Sequence, residues 1–235
     1  MLKSTMLNAA TYVEQRANNS LVPHRKQFLI GPRIYMVESR WKSYKLGSSL
    51  FISYHPEVVV TRVSGANSGL VIGNPIGNLN ESNRSWSGRW AFIEDNLLTI
   101  DAMGIVGCYY TESAGERWIA SSLGLLRHVR DLEYESETPT SISGINWDPP
   151  PRTRFKGVRK LLPSQSLDLC THEVRPRQLL SGRAPEPYAH LLEELHDVLS
   201  TTIKAATVGA AQVYVTLTDG YDSRLVLALA ASHTE

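Results

Sequence analysis

Cysteine is scarce: Cys108 and Cys170 are the only two in 235 residues, and neither heads a Cys-x-x-Cys pair. That excludes the usual zinc and dithiol motifs. Cys108 lies in the apolar run Ile105-Val-Gly-Cys-Tyr-Tyr110 and is expected as a small buried hydrophobe. Histidine offers no metal set either, because His190 and His196 stand six apart on an expected helix and do not share a face. An excess of one charge is lacking too. With 24 Lys and Arg against 23 Asp and Glu, no general attraction to nucleic acid or to an anionic membrane is indicated. Long apolar runs are missing, the longest being of the size of Leu225 to Ala231, far below a bilayer span. The first residues carry Lys3, Asn8, Thr11, Glu14 and Gln15 and no apolar signal-peptide segment, so a cytoplasmic location is expected.

What is present falls into two textures. After a polar N-terminal stretch, with a short helix expected near Ala9 to Arg16, residues 28–122 read as β-structure. Apolar runs recur at Ser49–Ser53, Val58–Val63, Gly69–Ile72, Arg89–Ile93, Asn96–Ile100, Ile105–Tyr110 and Trp118–Ala120, separated by Gly, Asn, Ser and Pro. Strands this close in sequence pair antiparallel. Phe92-Ile-Glu-Asp-Asn-Leu97 is expected as a hairpin turn. Gly73-Asn-Pro-Ile-Gly77 lacks the Gly-Lys-Ser/Thr of a phosphate loop and is also expected as a turn. Phe155–Pro163 and Ser166–Leu169 are expected as a closing strand pair.

Beyond Ser181–Pro187 the grammar becomes α/β. Tyr188, Leu191, Leu192, Leu195, Val198, Leu199 and Ile203 recur at helical spacing, so a helix is expected over Glu186 to Ala206. A strand over Gln212 to Leu217, a polar turn and a helix from Ser223 onward follow. A strand, turn and helix in this order present free backbone N–H groups and a positive dipole end, which suit a phosphate. Thr218 and Ser223 offer hydroxyl donors, and Asp222 offers a carboxylate for magnesium. The same residues also serve for simple helix capping by Asp222 or Ser223.

Thr218-Asp-Gly-Tyr-Asp-Ser223 resembles the Ser-Gly-Gly-x-Asp-Ser loop of the PP-loop ATP pyrophosphatases, the asparagine synthetase branch in particular. Gly220, Asp222 and Ser223 match the pattern, and Thr218 matches its first hydroxyl. Asp219 departs from it, standing where the family has glycine. A carboxylate about 4 Å from a phosphate costs on the order of a few kcal/mol at a partly solvated site.

Upstream, Ser87-Gly-Arg-Trp-Ala-Phe92, Asp101 to Tyr110, Ile119-Ala-Ser-Ser122 and Phe155 to Pro163 are similar, in order, to segments of the class II glutamine amidotransferase domain that opens asparagine synthetases. The resemblance implies an α+β N-terminal-nucleophile-type sandwich over residues 1–180, with antiparallel sheets and flanking helices. Residues 186–235 would be the first helix-strand-loop-helix of an α/β PP-loop domain. It further implies ATP and Mg2+ as cofactors, held by Leu217, Thr218, Asp219, Gly220, Tyr221, Asp222 and Ser223, with Asp222 on the metal. The reaction implied is adenylation of a small-molecule or peptide carboxylate and its transfer to ammonia or an amine.

The glutaminase half departs from the family at its centre. Residue 2 is Leu2 where the family has its terminal cysteine nucleophile, and Ser87 replaces an Asp that binds glutamine. Glutamine hydrolysis is therefore not expected, and no catalytic residue is assigned. Loss of the nucleophile with the sandwich kept is similar to β-lactam synthetases and lasso-peptide cyclases. The apolar strand and helix after Gln212 call for covering strands, so a fragment, a second chain or a homodimer is expected to complete the unit. The competing expectation is a non-catalytic remnant or scaffold built on the old glutaminase fold.

Overall fold

Along the central strands, successive side chains enter opposite apolar layers and both layers are buried. The computed structural model describes residues 26–64, 68–79, 82–83, 86–113, 115–135, 148–177, 185–208 and 212–233. Its strands are β1 (Phe28–Gly31), β2 (Lys42–Lys45), β3 (Phe51–Tyr54), β4 (Val60–Val63), β5 (Gly69–Ile76) and β6 (Ser87–Glu94). They continue with β7 (Leu97–Ile100), β8 (Tyr109–Ser113), β9 (Glu116–Ala120), β10 (Val158–Lys160), β11 (Gln165–Asp168) and β12 (Val174–Pro176). The helices are α1 (Leu123–Leu126), α2 (Tyr188–Thr207) and α3 (Tyr221–Ala231).

The strands form two six-stranded antiparallel sheets, ordered β10-β8-β9-β1-β3-β2 and β12-β11-β7-β6-β5-β4. Phe28, Ile30, Ile52 and Ile119 from the first sheet meet Leu70, Ile72, Ala91, Ile93, Leu98 and Ile100 from the second in one buried layer. The alternation is explicit in β6, where Ala91 and Ile93 join that layer while Trp90 and Phe92 pack outside it with Val71 and Trp86. Each large side chain so buried contributes about 1.5–3 kcal/mol. On the outer face of the first sheet, Leu125 and Leu126 of α1 cover Leu29, Trp118 and Val158. The result is an α+β sandwich with few helices.

The expected hairpin is formed by β6 and β7, with Glu94 opposite Leu97. Asp95 and Asn96 between them both take positive φ, 47° and 65°. Two-residue turns with that conformation match the twist of antiparallel strands, and Asp and Asn tolerate it.

Several expectations are corrected. The segments around β10 and β11 do not pair with each other: β10 adds to β8 in one sheet, and β11 adds to β7 and β12 in the other. The chain crosses between sheets at a turn closed by the Gln165 N–H on Leu162 O (3.0 Å), with Leu161 fully buried at the crossing. β10 finds its ladder partner on the free edge of β8 and β11 on that of β7, rather than in each other. The Gly73–Gly77 segment is not a turn, since Gly73 to Ile76 continue β5 opposite Trp90 to Ser87. A Cβ on Gly73 would stand 2.5 Å from Arg89 O, so close backbone approach is what requires glycine there. Pro75 is tolerated because β4 pairs only with Gly69 to Ile72, leaving the far side of β5 without a ladder at that point.

Strand structure begins only at Tyr109, after a turn from Asp101 to Cys108. Cys108 itself is buried, and burial pushes its thiol up to about 12. The helix expected over Glu186 to Ala206 is α2, yet none of its residues is buried, and Leu195 and Val198 are each 53% exposed. Gln212 to Leu217 is not a strand: it has no ladder partner among the described residues, and Tyr214 and Leu217 are exposed. A strand requires a neighbour to accept its backbone groups, and none of the described segments supplies one. The helix expected near Ala9 to Arg16, and Leu2, lie outside the described residues. No helix among the described residues is long and apolar enough to cross a membrane.

Candidate functional site: the Thr218–Ser223 loop

The loop leads from the extended segment into α3, with Gly220 at the N-cap in extended conformation (φ −72°, ψ 152°). Helix α3 packs on α2 through Leu229 and Ala230, and Ser200 Oγ lies 2.9 Å from His233 Nε2. The helix start is thereby carried at the open end of a two-helix unit, and Thr218, Asp219, Gly220, Tyr221 and Asp222 are all exposed.

Ser223 is the hub of the loop. Its Oγ accepts the Thr218 N–H at 3.1 Å and lies 3.0 Å from Thr218 O and 3.1 Å from Gly220 O, either of which can take its proton. Thr218 Oγ1 stands 3.0 Å from the same hydroxyl and accepts the Gly220 N–H at 3.3 Å. Both hydroxyls expected to face a phosphate are therefore turned onto the loop backbone. They hold its shape instead.

The first amides of α3 have no side-chain cap, so the helix start presents N–H groups and the positive end of the dipole. Capping by Asp222 or Ser223, the plainer expectation for these residues, does not occur. Asp222 sits in the first helical turn and makes no hydrogen bond or ion pair among the described residues, so its carboxylate is available. Among the described residues no group of three or more His, Cys, Asp and Glu is gathered to hold a metal. Asp222 therefore fits magnesium only in the mode where phosphate oxygens and water supply the other ligands. Leu217 is exposed at the loop entry, and Tyr221 is 86% exposed.

Arg224 was not singled out from the sequence. Its guanidinium donates to the carbonyl oxygen of Asp219 and lies over the Tyr221 ring, 5.3 Å from the centroid. The i, i+3 spacing of Tyr221 and Arg224 on one helix was the available signal. A cation is thus fixed beside Asp219, where the loop carries its non-matching carboxylate.

The upstream segments have structural employment. Asp101 is 1% exposed, and its carboxylate accepts the N–H groups of Ile105 (2.9 Å) and Val106 (2.8 Å). Ser121 Oγ accepts the Phe28 N–H at 3.0 Å, and Ser122 caps α1 through the Leu125 N–H while donating to Gln27. Ser87 Oγ lies 3.1 Å from Thr202 Oγ1, linking the second sheet to α2. No protein-family model and no curated protein sequence matches this chain.

Proposed function

We propose that this chain forms part of an asparagine synthetase-like, ATP-dependent amide-forming ligase whose glutaminase-like sandwich, an N-terminal-nucleophile-type fold, no longer hydrolyses glutamine. The observation that carries the reading is the exposed, uncapped start of α3, with Gly220 at the N-cap and Asp222 in its first turn without a partner among the described residues. Helix N-termini of this kind receive phosphate through free N–H groups and the helix dipole. In the proposed reaction a substrate carboxylate oxygen attacks the α-phosphorus of ATP and pyrophosphate departs. Ammonia or an amine then attacks the acyl carbon, and AMP leaves with the former carboxylate oxygen.

Each residue of the loop takes a limited part. The amides of the first turn of α3 would hold the pyrophosphate oxygens, and Ser223 and Thr218 would fix the curvature that aims them. Asp222 would share a magnesium ion with those oxygens, which neutralises charge on the leaving group. Arg224, held on Asp219 O, would offset part of the Asp219 repulsion. Neighbouring strands for Gln212 to Leu217 would come from further α/β sequence, in this polypeptide or another, and would contribute the carboxylate pocket.

The uncovered apolar side chains of α2 favour a second reading, a non-catalytic scaffold whose helices dock a partner. Pyrophosphate exchange into ATP, measured on the complete folded assembly with a panel of amino and peptide acids, separates the two. Exchange with one acid, abolished by Asp222→Ala, supports the ligase. Silence across the panel, with no magnesium-dependent ATP binding by calorimetry, supports the scaffold.

A further inference from the structure

A cavity of about 490 Å3 opens on the first sheet, between α1 and the Pro150–Phe155 segment, well apart in sequence from the Thr218 loop. That volume is in the range of small-metabolite pockets. Its charge is one-sided: Arg127, Arg152, Arg154 and Lys160 line it, against Asp148 alone. The whole chain carries a formal net charge of only +1, so this is a local concentration.

The ion pairs account for some of those cations and leave others. Asp148 engages Arg154 at 3.4 Å, and Glu135, just outside, engages Arg152 at 3.6 Å. Arg127 and Lys160 make no ion pair or side-chain hydrogen bond among the described residues. Both line the same cavity. Lys160 stands opposite Tyr109 in the β10–β8 ladder, so the two side chains leave the sheet on one face. Tyr109 is half-buried, and its hydroxyl has no partner among the described residues, which leaves a neutral donor beside the ammonium.

The Pro150–Phe155 wall combines charged side chains with a buried aromatic ring. Thr153 and Phe155 are buried while Arg152 and Arg154 are exposed, a strand-like alternation that turns both guanidinium groups outward. Thr153 Oγ1 fixes the segment, donating to Val158 O at 2.9 Å and accepting the Phe155 N–H at 3.2 Å. Phe155 is 5% exposed and stacks obliquely on Tyr134 at 4.8 Å between ring centroids. Two cations and a phenol hydroxyl without partners among the described residues converge with aromatic walls on one concave space.

We propose that this cavity binds a small organic anion, a carboxylate or phosphate carried on a planar ring, with Arg127 and Lys160 holding the charge. Tyr109 donates to it, and Tyr109 and Phe155 flank the ring. Ligand charge and ligand ring are both read, so neither half alone is bound well.

Phenyl phosphate titrated into the intact chain by calorimetry or NMR tests this, with benzoate, inorganic phosphate and phenol as the comparison set. Saturable binding of phenyl phosphate or benzoate is expected, at least about tenfold tighter than inorganic phosphate or phenol. The stronger of the two ring anions tells a phosphate source from a carboxylate source. The double variant Arg127→Ala/Lys160→Ala should weaken that binding by about tenfold or more while leaving the circular dichroism spectrum and melting curve unchanged. Tyr109→Phe removes only the hydroxyl and should weaken it a few-fold, which keeps the test open if the double variant folds poorly. Arg127→Lys/Lys160→Arg should retain binding. Absence of saturable binding by either ring anion, affinity for phenol equal to that for phenyl phosphate, or binding indifferent to both Arg127→Ala/Lys160→Ala and Tyr109→Phe would overturn the proposal.

Discussion

The hydroxyl groups of Thr218 and Ser223 lie 3.0 Å apart, and the second also accepts the backbone N–H of the first residue at 3.1 Å. A loop of six residues is thus tied across its mouth by side chains the sequence offers as ligand donors. Removing the Ser223 hydroxyl strips the Thr218 N–H of its acceptor, at a net cost of about 0.5–1.5 kcal/mol per hydrogen bond. Ser223→Ala is expected to raise amide exchange at Thr218 by roughly five- to tenfold, with the global unfolding midpoint unchanged because the loop is exposed. Hydrogen exchange with mass spectrometry reads this. Unchanged protection at Thr218 would mean that the Ser223 bonds do not shape the loop.

Asp101 is a different case, since its buried carboxylate serves two turn amides at once. Asp101→Ala leaves the Ile105 and Val106 N–H groups without acceptors and is expected to cost about 2–4 kcal/mol. Asp101→Asn keeps one good acceptor and should cost less. Urea unfolding of the three proteins gives the order directly, and equal stability for Asn and Ala would contradict the two-acceptor geometry.

Gly31 closes β1 against the indole of Trp118. A Cβ there would stand 2.1 Å from Trp118 Cε3, and Trp118 is fully buried with nowhere to retreat. Gly31→Ala is expected to destabilise by about 1–3 kcal/mol through overpacking, seen as a lower urea midpoint with an unchanged slope. Gly47→Ala is the control, because nothing among the described residues lies within 4 Å of its Cβ position. A Gly31→Ala midpoint as high as the control's would show that the β1–β9 contact is looser than described.

Much of the sandwich is legible in the sequence because short apolar runs broken by Gly, Asn, Ser and Pro mark its strands. Trp90-Ala-Phe-Ile93, buried on both faces, is such a run, and Asp95-Asn96 announces the turn after it. Ladder partners are not written that way. Nothing in Val158–Lys160 or Gln165–Asp168 says that they join different sheets, because the choice depends on which edges β8 and β7 leave open. The loop was legible as a polar turn leading into a helix, though not the absence of a strand before it, and the direction of a hydroxyl is decided by which backbone groups need partners. Ser223 turns inward because Thr218 N–H needs an acceptor, a requirement visible only in three dimensions. The cavity cations are not legible for a related reason, since Arg127 and Lys160 are 33 positions apart and are joined only by the fold.

The pH dependence of stability should carry the mark of His172. Its ring meets Tyr110 edge-on at 6.1 Å, its Nδ1 has no partner among the described residues, and its backbone takes φ 60°. Burial is the main cause that lowers its pKa from 6.5 to about 4, with Arg117 adding to the effect and Glu112 and Asp168 opposing it. In the unfolded chain the imidazole titrates near its ordinary value of about 6.5. Between about pH 4 and pH 6.5 the unfolded state therefore binds more protons, and stability falls as the pH drops through that window. Above it both states are neutral and the effect of His172 is flat. Asp168, whose pKa is lowered from 3.8 chiefly by the Thr171 N–H, acts mainly below the window. His172→Asn suits the positive φ and cannot titrate. It is expected to flatten the slope of unfolding free energy against pH from 6.5 to 4, measured by urea unfolding at a series of pH values. An identical slope in the two proteins would mean that the folded imidazole is charged in this range, and the packing of His172 beneath Tyr110 and Arg117 would then need another account.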